Sequence, residues 1–397
     1  MKILIVNKFL FPNGGSETYI FELGKQLSKM GHQVQYFGME HEGRIVGNDA
    51  ESYTSDMDFH GNGLSKLLYP FRILYSFEAR KKIRVVLKDF EPDVVHLNNI
   101  NFQITPSVID EIRAYKKKRI KIVFTAHDYQ WVCPNHMMMI PSNKEMCFRC
   151  EGGRYGECIK NRCIHGSKVK SILGAAEAFL HNRVLKTYAK VDKIICPSYF
   201  MENKLKANPL LKDKLITIHN FLDTNVSMDY EKQDYVLYFG RYSEEKGVKT
   251  LLEVCKELPD IPFVFAGGGP LENEVDSVSN IENKGFLRGE ELIKLIAQAR
   301  FCIFPSQWYE NCPFTVMEAQ MYGTPVLAAN VGGVPELLQE GITGELFQAG
   351  NRTEIREKIL SLWNQNNILE QYTQNCQKVK FISLAEYCTR VVQIYEE

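Results

Sequence analysis

Two carboxylates stand where this chain is best placed to do chemistry. Seven residues separate them in Glu310-Asn311-Cys312-Pro313-Phe314-Thr315-Val316-Met317-Glu318. The run before them, Phe301-Cys302-Ile303-Phe304-Pro305-Ser306, reads as a short buried strand. Pro313 suits the first turn of a helix, where its missing N–H costs nothing. Glu310 is therefore expected in a loop at the carboxyl end of a strand, and Glu318 early in the next helix. In open α/β sheets that edge is where ligands bind, and a helix N-terminus there favours an anion. The pair suggests a phosphate site beside two hydroxyl-binding carboxylates. The plain alternative is two solvated glutamates on a surface helix.

Other groups fit the same chemistry. Gly240-Arg241-Tyr242-Ser243-Glu244-Glu245-Lys246-Gly247 follows a second strand, and an arginine fork with a lysine point charge suits a diphosphate. Asn13-Gly14-Gly15-Ser16-Glu17 follows the first strand; its glycines let backbone N–H groups approach a phosphate, and Ser16 is a candidate cap for the next helix. His127, in Thr125-Ala126-His127-Asp128, offers a hydrogen bond to a sugar hydroxyl or a proton to a reaction, with Asp128 to set its tautomer or touch an acceptor.

Five cysteines crowd between 133 and 163: Cys133, Cys147, Cys150, Cys158 and Cys163. A CxxC followed by two more cysteines within about a dozen residues has metal-ligand spacing. The expected set is a structural zinc on Cys147, Cys150, Cys158 and Cys163, with Cys133 as an exchange. Unliganded buried thiols, an iron–sulfur cluster or a disulfide are the alternatives.

These residues need sheets to hold them. Apolar, β-branched runs at 2–9, 33–38, 93–97, 121–126, 193–196, 215–219, 235–239, 262–266, 301–305, 325–329 and 344–347 alternate with helical stretches, the mark of parallel sheets with crossover helices. Helices are expected at about 16–30, 66–90, 105–116, 168–190, 247–257, 271–279, 289–299, 313–322 and 352–364. The pattern restarts at Tyr235 after a polar, strand-poor stretch, 223–234. The expectation is two doubly wound, Rossmann-like α/β domains facing across a cleft. Residues 1–222 form the first domain, with a cysteine-rich insertion at about 129–166, and 223–379 form the second. An amphipathic helix at about 380–397 is expected to pack back on the first.

With 397 residues, 45% hydrophobic and 24% charged, the composition is that of an ordinary globular protein of two or three domains. The net charge of zero hides an asymmetry: residues 1–195 carry 29 Lys+Arg against 20 Asp+Glu, while the rest carry 19 against 28. Aromatic and basic residues mix at 66–90, and 116–119 and 168–193 add more charge, as on a helix lying at an anionic membrane or on one with a solvated basic face. No nucleic-acid motif accompanies them. No apolar run is long enough for a membrane span, and Met1–Asn7 is too short for a signal peptide, so the expectation is a cytoplasmic protein, free or peripheral at the inner face of a membrane.

Together, Gly14-Gly15-Ser16-Glu17, His127-Asp128, Gly240-Arg241 with Lys246-Gly247, Pro305-Ser306, the glutamate pair and Gly332-Gly333-Val334-Pro335-Glu336 resemble the retaining nucleotide-sugar glycosyltransferases of family 4, of GT-B fold, over nearly the whole chain. The resemblance implies that Arg241 and Lys246 hold the donor diphosphate, Glu318 the ribose and Glu310 the transferred sugar. It puts Gly14 and Gly15 near the phosphate, His127 near the sugar, Phe286 near the base, and the amides of Phe314 and Thr315 on the phosphates. It implies that 1–222 is the acceptor-side domain and 223–379 the nucleotide-sugar domain, with a UDP- or GDP-sugar donor, a glycan or lipid-linked acceptor, front-face transfer without a metal, and surface-polysaccharide or glycoconjugate synthesis. The rivals are an epimerase or hydrolase on the same fold, and a non-catalytic protein binding through its cysteine module.

Overall fold

The computed structural model describes residues 1–55, 69–222 and 230–397 and divides into two compact units, Met1–His219 with Leu384–Glu397, and Asn220–Ser383. In the first unit the order is β1 (Lys2–Val6), α1 (Gly15–Lys29), β2 (Gln33–Phe37), α2 (Tyr69–Leu74), α3 (Phe77–Phe90), β3 (Val94–Leu97), α4 (Ser107–Ala114), β4 (Lys121–Thr125), a hairpin of β5 (Met139–Ile140) and β6 (Glu145–Met146), α5 (Gly156–Lys160), α6 (Lys168–Phe179), β7 (Lys193–Cys196), α7 (Tyr199–Leu205) and β8 (Leu215–Thr217). The second unit holds β9 (Gln233–Arg241), α8 (Val248–Glu257), β10 (Phe263–Gly268), α9 (Glu272–Asp276), β11 (Ile281–Asn283), α10 (Gly289–Gln298), β12 (Ala299–Phe304), α11 (Phe314–Met321), β13 (Val326–Ala329), β14 (Gly344–Phe347), α12 (Arg352–Trp363) and α13 (Asn366–Cys376). The last helix, α14 (Leu384–Glu396), belongs to the first unit, against α1 and β4.

Each unit is a six-stranded parallel sheet, ordered β2-β1-β3-β4-β7-β8 and β11-β10-β9-β12-β13-β14. Both are Rossmann-like α/β units, as the alternating pattern implies. Their central strands are apolar on both faces because helices cover both: Ile3, Leu4, Ile5 and Val6 of β1 are wholly buried. Among the described residues no helix is long and apolar enough to cross a membrane.

The differences from expectation are local. The 66–90 stretch holds two helices, α2 and α3; the latter starts at Ser76, whose hydroxyl caps Ala79 N–H, and residues 66–68 lie outside the described residues. The 168–190 stretch breaks into α6, a π-helical turn at Leu180–Val184 and a 3-10 turn at Thr187–Lys190. Strand β11 and helices α7 and α13 carry too short or too polar a pattern to stand out. Most of the 223–234 stretch lies outside the described residues.

A buried polar chain ties α14 down. Tyr395 OH meets His96 Nδ1 at 2.6 Å, and His96 Nε2 meets Thr125 Oγ1 at 2.7 Å. Tyr19 OH then joins Thr125 Oγ1 and Tyr387 OH, each at 2.9 Å. Burial drives the His96 pKa down to about 3, so it is a neutral relay of hydrogen bonds.

Candidate active site

In the second unit the site gathers at the carboxyl ends of β9 and β12. Gly247 has φ +75°, and a Cβ there would stand 1.8 Å from the Pro305 carbonyl oxygen. Only a glycine lets the β9–α8 turn lie this close to the turn after β12. The contact is locked by Gln307 N–H donating to the Glu245 carbonyl at 2.9 Å. Lys246 is thereby set against Glu310.

Glu310 lies in a loop and is 8% exposed. Three donors converge on its Oε1: Lys246 Nζ at 2.6 Å, Ser306 Oγ at 2.7 Å and Trp308 Nε1 at 2.7 Å. The Lys246 ammonium also sits 5.0 Å from the Trp308 ring centroid. The backbone of Glu310 is gripped as well: Gly333 N–H donates to its carbonyl at 2.8 Å, and a Cβ on Gly332 (φ +57°) would meet that oxygen at 2.0 Å. The Gly332-Gly333 motif thus serves Glu310 directly. Oε2 has no hydrogen-bond partner among the described residues, which leaves it for a ligand hydroxyl.

Glu318 is on α11 as expected, one turn in. It has no ion-pair partner among the described residues, and burial pushes its pKa up to about 7. Pro313 stands just outside the helix as its N-cap, where it supplies no side-chain acceptor, so the amides of Phe314 and Thr315 lack a capping partner. Such a helix start attracts an anion. Arg241 ends β9 exposed, with no ion-pair partner among the described residues. Phe286 is 68% exposed, with the Arg288 guanidinium 4.7 Å from its ring.

In the first unit, Gly14 is the extended N-cap of α1 and Gly15 its first residue, with no side chain capping the helix. Ser16 does not cap: its hydroxyl donates to Glu17 Oε1 at 2.9 Å, which also accepts from Asn7 Nδ2 at 3.0 Å. The glycine loop is therefore anchored by a buried glutamate, and the α1 amides stay open. His127 follows β4. Its Nε2 meets Asn98 Oδ1 at 3.0 Å and must donate there, so Asn98, not Asp128, sets that end of the ring. Burial lowers the His127 pKa to about 4, and it is neutral at pH 7. Asp128 turns away, accepting from Asn101 Nδ2 at 2.5 Å and Gln130 N–H at 2.9 Å, with His136 Nδ1 at 3.5 Å. Burial raises its pKa, but His136, the Gln130 N–H and the Lys8 ammonium outweigh it and hold the carboxyl below its usual range.

The four-thiolate zinc set is not borne out. Among the described residues no group of three or more His, Cys, Asp or Glu is placed to hold a metal ion. Cys133, Cys147, Cys150, Cys158 and Cys163 do come together, but around a space of about 10 Å³ and as free thiols. Cys150, Cys158 and Cys163 pack with Ile140, Tyr155, Ala175 and Ala178 in a small apolar core. Burial pushes the Cys133 and Cys150 thiols up to about 12, so they stay protonated, weakly polar and suited to such a core.

Sequence reasoning missed Trp308 and gave Ser306 no role. A tryptophan two residues before a loop glutamate was the available signal, since a buried indole N–H generally finds an acceptor. It also missed His96, legible only as a histidine inside an otherwise apolar strand.

Two family models match. One described as Glycosyltransferase Family 4 covers residues 13–226, and one described as Glycosyl transferases group 1 covers 223–379. The chain is 26% identical over 258 residues to an uncharacterized glycosyltransferase of Methanocaldococcus jannaschii, covering 62% of this chain and 72% of that one. It is 24% identical over 357 residues to an uncharacterized 42.6 kDa protein in the cps region of Klebsiella pneumoniae, covering 85% and 87%. Among solved structures, Anabaena HepE in complex with UDP superposes with a TM-score of 0.68 at 16% identity, over the whole of both chains.

Proposed function

The chain belongs to glycosyltransferase family 4, and from that premise we propose that it moves a sugar from a nucleoside-diphosphate donor to a glycan or lipid-linked acceptor, with retention at the anomeric carbon. The observation that carries this reading is the Glu310 cluster. A buried carboxylate with one oxygen filled by Lys246, Ser306 and Trp308 and the other open stands four residues before an uncapped helix start. That combination offers hydroxyl acceptance and anion binding within one loop.

In this reading Arg241 and Lys246 hold the diphosphate, with the amides of Phe314 and Thr315; two of the three Lys246 N–H donors remain after the Glu310 bond. Glu318 accepts the ribose hydroxyls, Glu310 Oε2 those of the transferred sugar, and Phe286 lies against the base. In the first unit, Gly14 and Gly15 serve the phosphate and neutral His127 the sugar. The C1–O bond to phosphate breaks, the acceptor oxygen bonds to C1 on the same face, and its proton passes to the departing diphosphate. Positioning and charge stabilisation then supply the catalysis, and the two cations stand where a metal would otherwise serve. A UDP- or GDP-sugar is the donor class; the UDP complex of HepE supports the former. Surface polysaccharide or glycoconjugate synthesis is the setting, and the basic first half suits work at the inner face of an anionic membrane.

Thermal-shift titration with a panel of UDP- and GDP-sugars tests this. At least one donor raises Tm in the wild type, and Lys246→Ala abolishes that shift and lowers turnover by about 10²–10³-fold. Failure of every donor to shift Tm, or full turnover in a folded Lys246→Ala protein, overturns it.

A further inference from the structure

Away from the Glu310 and His127 groups, the first unit contains a cavity of about 210 Å³ between the cysteine-rich segment, the turn after α6 and the segment after α7. That is smaller than the roughly 300–1,000 Å³ of pockets for drug-sized ligands, and suits a single sugar ring rather than a nucleotide. Trp131 and Tyr155, both buried, line it together with Asn182, Asn208, Arg183 and Lys186. Among the described residues the two cations are its only charged lining.

The walls are held in place. Asn208 Nδ2 donates to the Trp131 carbonyl at 3.0 Å and to Asn182 Oδ1 at 2.6 Å, and Asn182 Nδ2 donates to the Ala178 carbonyl at 2.9 Å. Asn182 keeps one N–H and one lone pair unspent; Asn208, which also accepts Leu210 N–H at 3.1 Å, keeps one lone pair. Arg183 Nη2 donates to the Gly152 carbonyl at 2.5 Å, and the missing side chain of Gly153 leaves room for it, since a Cβ there would stand 2.4 Å from that nitrogen. The backbone carrying the cations is unusual. Asn182 and Arg183 sit in the π-helical turn Leu180–Val184, and Lys186 is left-handed at φ +47°. Both conformations are costly and concentrate at functional sites.

We infer that this cavity is a carbohydrate subsite for one sugar residue bearing a carboxylate or phosphate group. Pro209 and Leu210, backed by the buried Trp131 and Tyr155, supply the apolar surface, the asparagine amides take ring hydroxyls, and Arg183 with Lys186 clamps the anion. That the sugar belongs to the acceptor rests on the proposed function; the binding itself does not.

The test is thermal-shift and calorimetric titration of the full chain with glucuronate, glucose 6-phosphate and glucose, each in the presence of saturating UDP. Either or both anionic sugars bind in the wild type and glucose binds more weakly, with glucuronate and glucose 6-phosphate separating a carboxylate from a phosphate preference. Arg183→Gln and Lys186→Asn each weaken that binding about tenfold. Asparagine tolerates the left-handed backbone, so Lys186→Asn keeps the fold even where Arg183→Gln does not. The UDP shift, measured first, is unchanged in both variants; its absence from the wild type speaks against the donor reading, and the sugars are then titrated alone. No binding of either anionic sugar, equal binding of glucose, or undiminished binding by Lys186→Asn overturns the subsite.

Discussion

The loop around Glu310 and the cysteine-rich segment both announce themselves by side-chain spacing, yet spacing means different things in them. At Glu310, charge and backbone agree. A buried carboxylate collects three donors, while Gly247 and Gly332 bring neighbouring turns against Pro305 and against the Glu310 backbone. In the cysteine segment the thiols converge as well, but on one another and on apolar neighbours. A buried carboxylate without donors would be costly, whereas a buried protonated thiol is not. The first region therefore commits its residues to a polar site, and the second is free to use them as a core.

Three substitutions probe that contrast. The largest effect is expected from Gly332→Ala, which adds a methyl group 2.0 Å from the Glu310 carbonyl oxygen on a left-handed backbone. It should cost about 2–4 kcal/mol in chemical denaturation and remove donor binding together with the stability. A variant that keeps both would break the link between the glycine motif and Glu310. Cys158→Ser comes next: it puts a hydroxyl in the thiol core and should cost about 1–3 kcal/mol while leaving UDP affinity unchanged. Loss of UDP binding in a folded Cys158→Ser protein would erase the distinction between the two regions.

The smallest effect is a pH dependence. Glu318 is held at about 7, above the ordinary carboxyl value, so between about pH 4.5 and 7 the folded state binds the proton that the unfolded state has lost. The resulting stability is present below about pH 4.5, fades as pH rises, and is gone above 7. Tm of the wild type should fall relative to Glu318→Gln over that window and run parallel to it above pH 7.5. A constant difference from pH 5 to 8 would mean that Glu318 does not titrate there.

Much of the architecture was legible. β-branched apolar runs mark most of the strands because a strand covered on both faces tolerates little else, and the β12–loop–α11 order around the glutamates follows from Pro313 and the buried run before it. What escaped is what depends on partners distant in sequence. Ser16 has the right type for a cap, but Glu17, fixed by Asn7, takes its hydroxyl. Asp128 has the right position to orient His127, but Asn98 occupies that place and His136 draws the aspartate away. The cysteine spacing left both a ligand set and a thiol core open, because it does not fix the direction of each Cα–Cβ bond.

The hydrogen-bonded chain through Tyr395, His96, Thr125, Tyr19 and Tyr387 also bears on the order in which the molecule can be completed. Tyr19 and Tyr387 lie 368 residues apart, and the whole second unit is synthesised between them. On a ribosome the later-encoded unit has all its strands before the earlier one has its last helix. The first unit then spends most of translation with His96 and Tyr19 lacking the hydroxyl groups that complete their surroundings. The part of the protein that starts first is the part that finishes last.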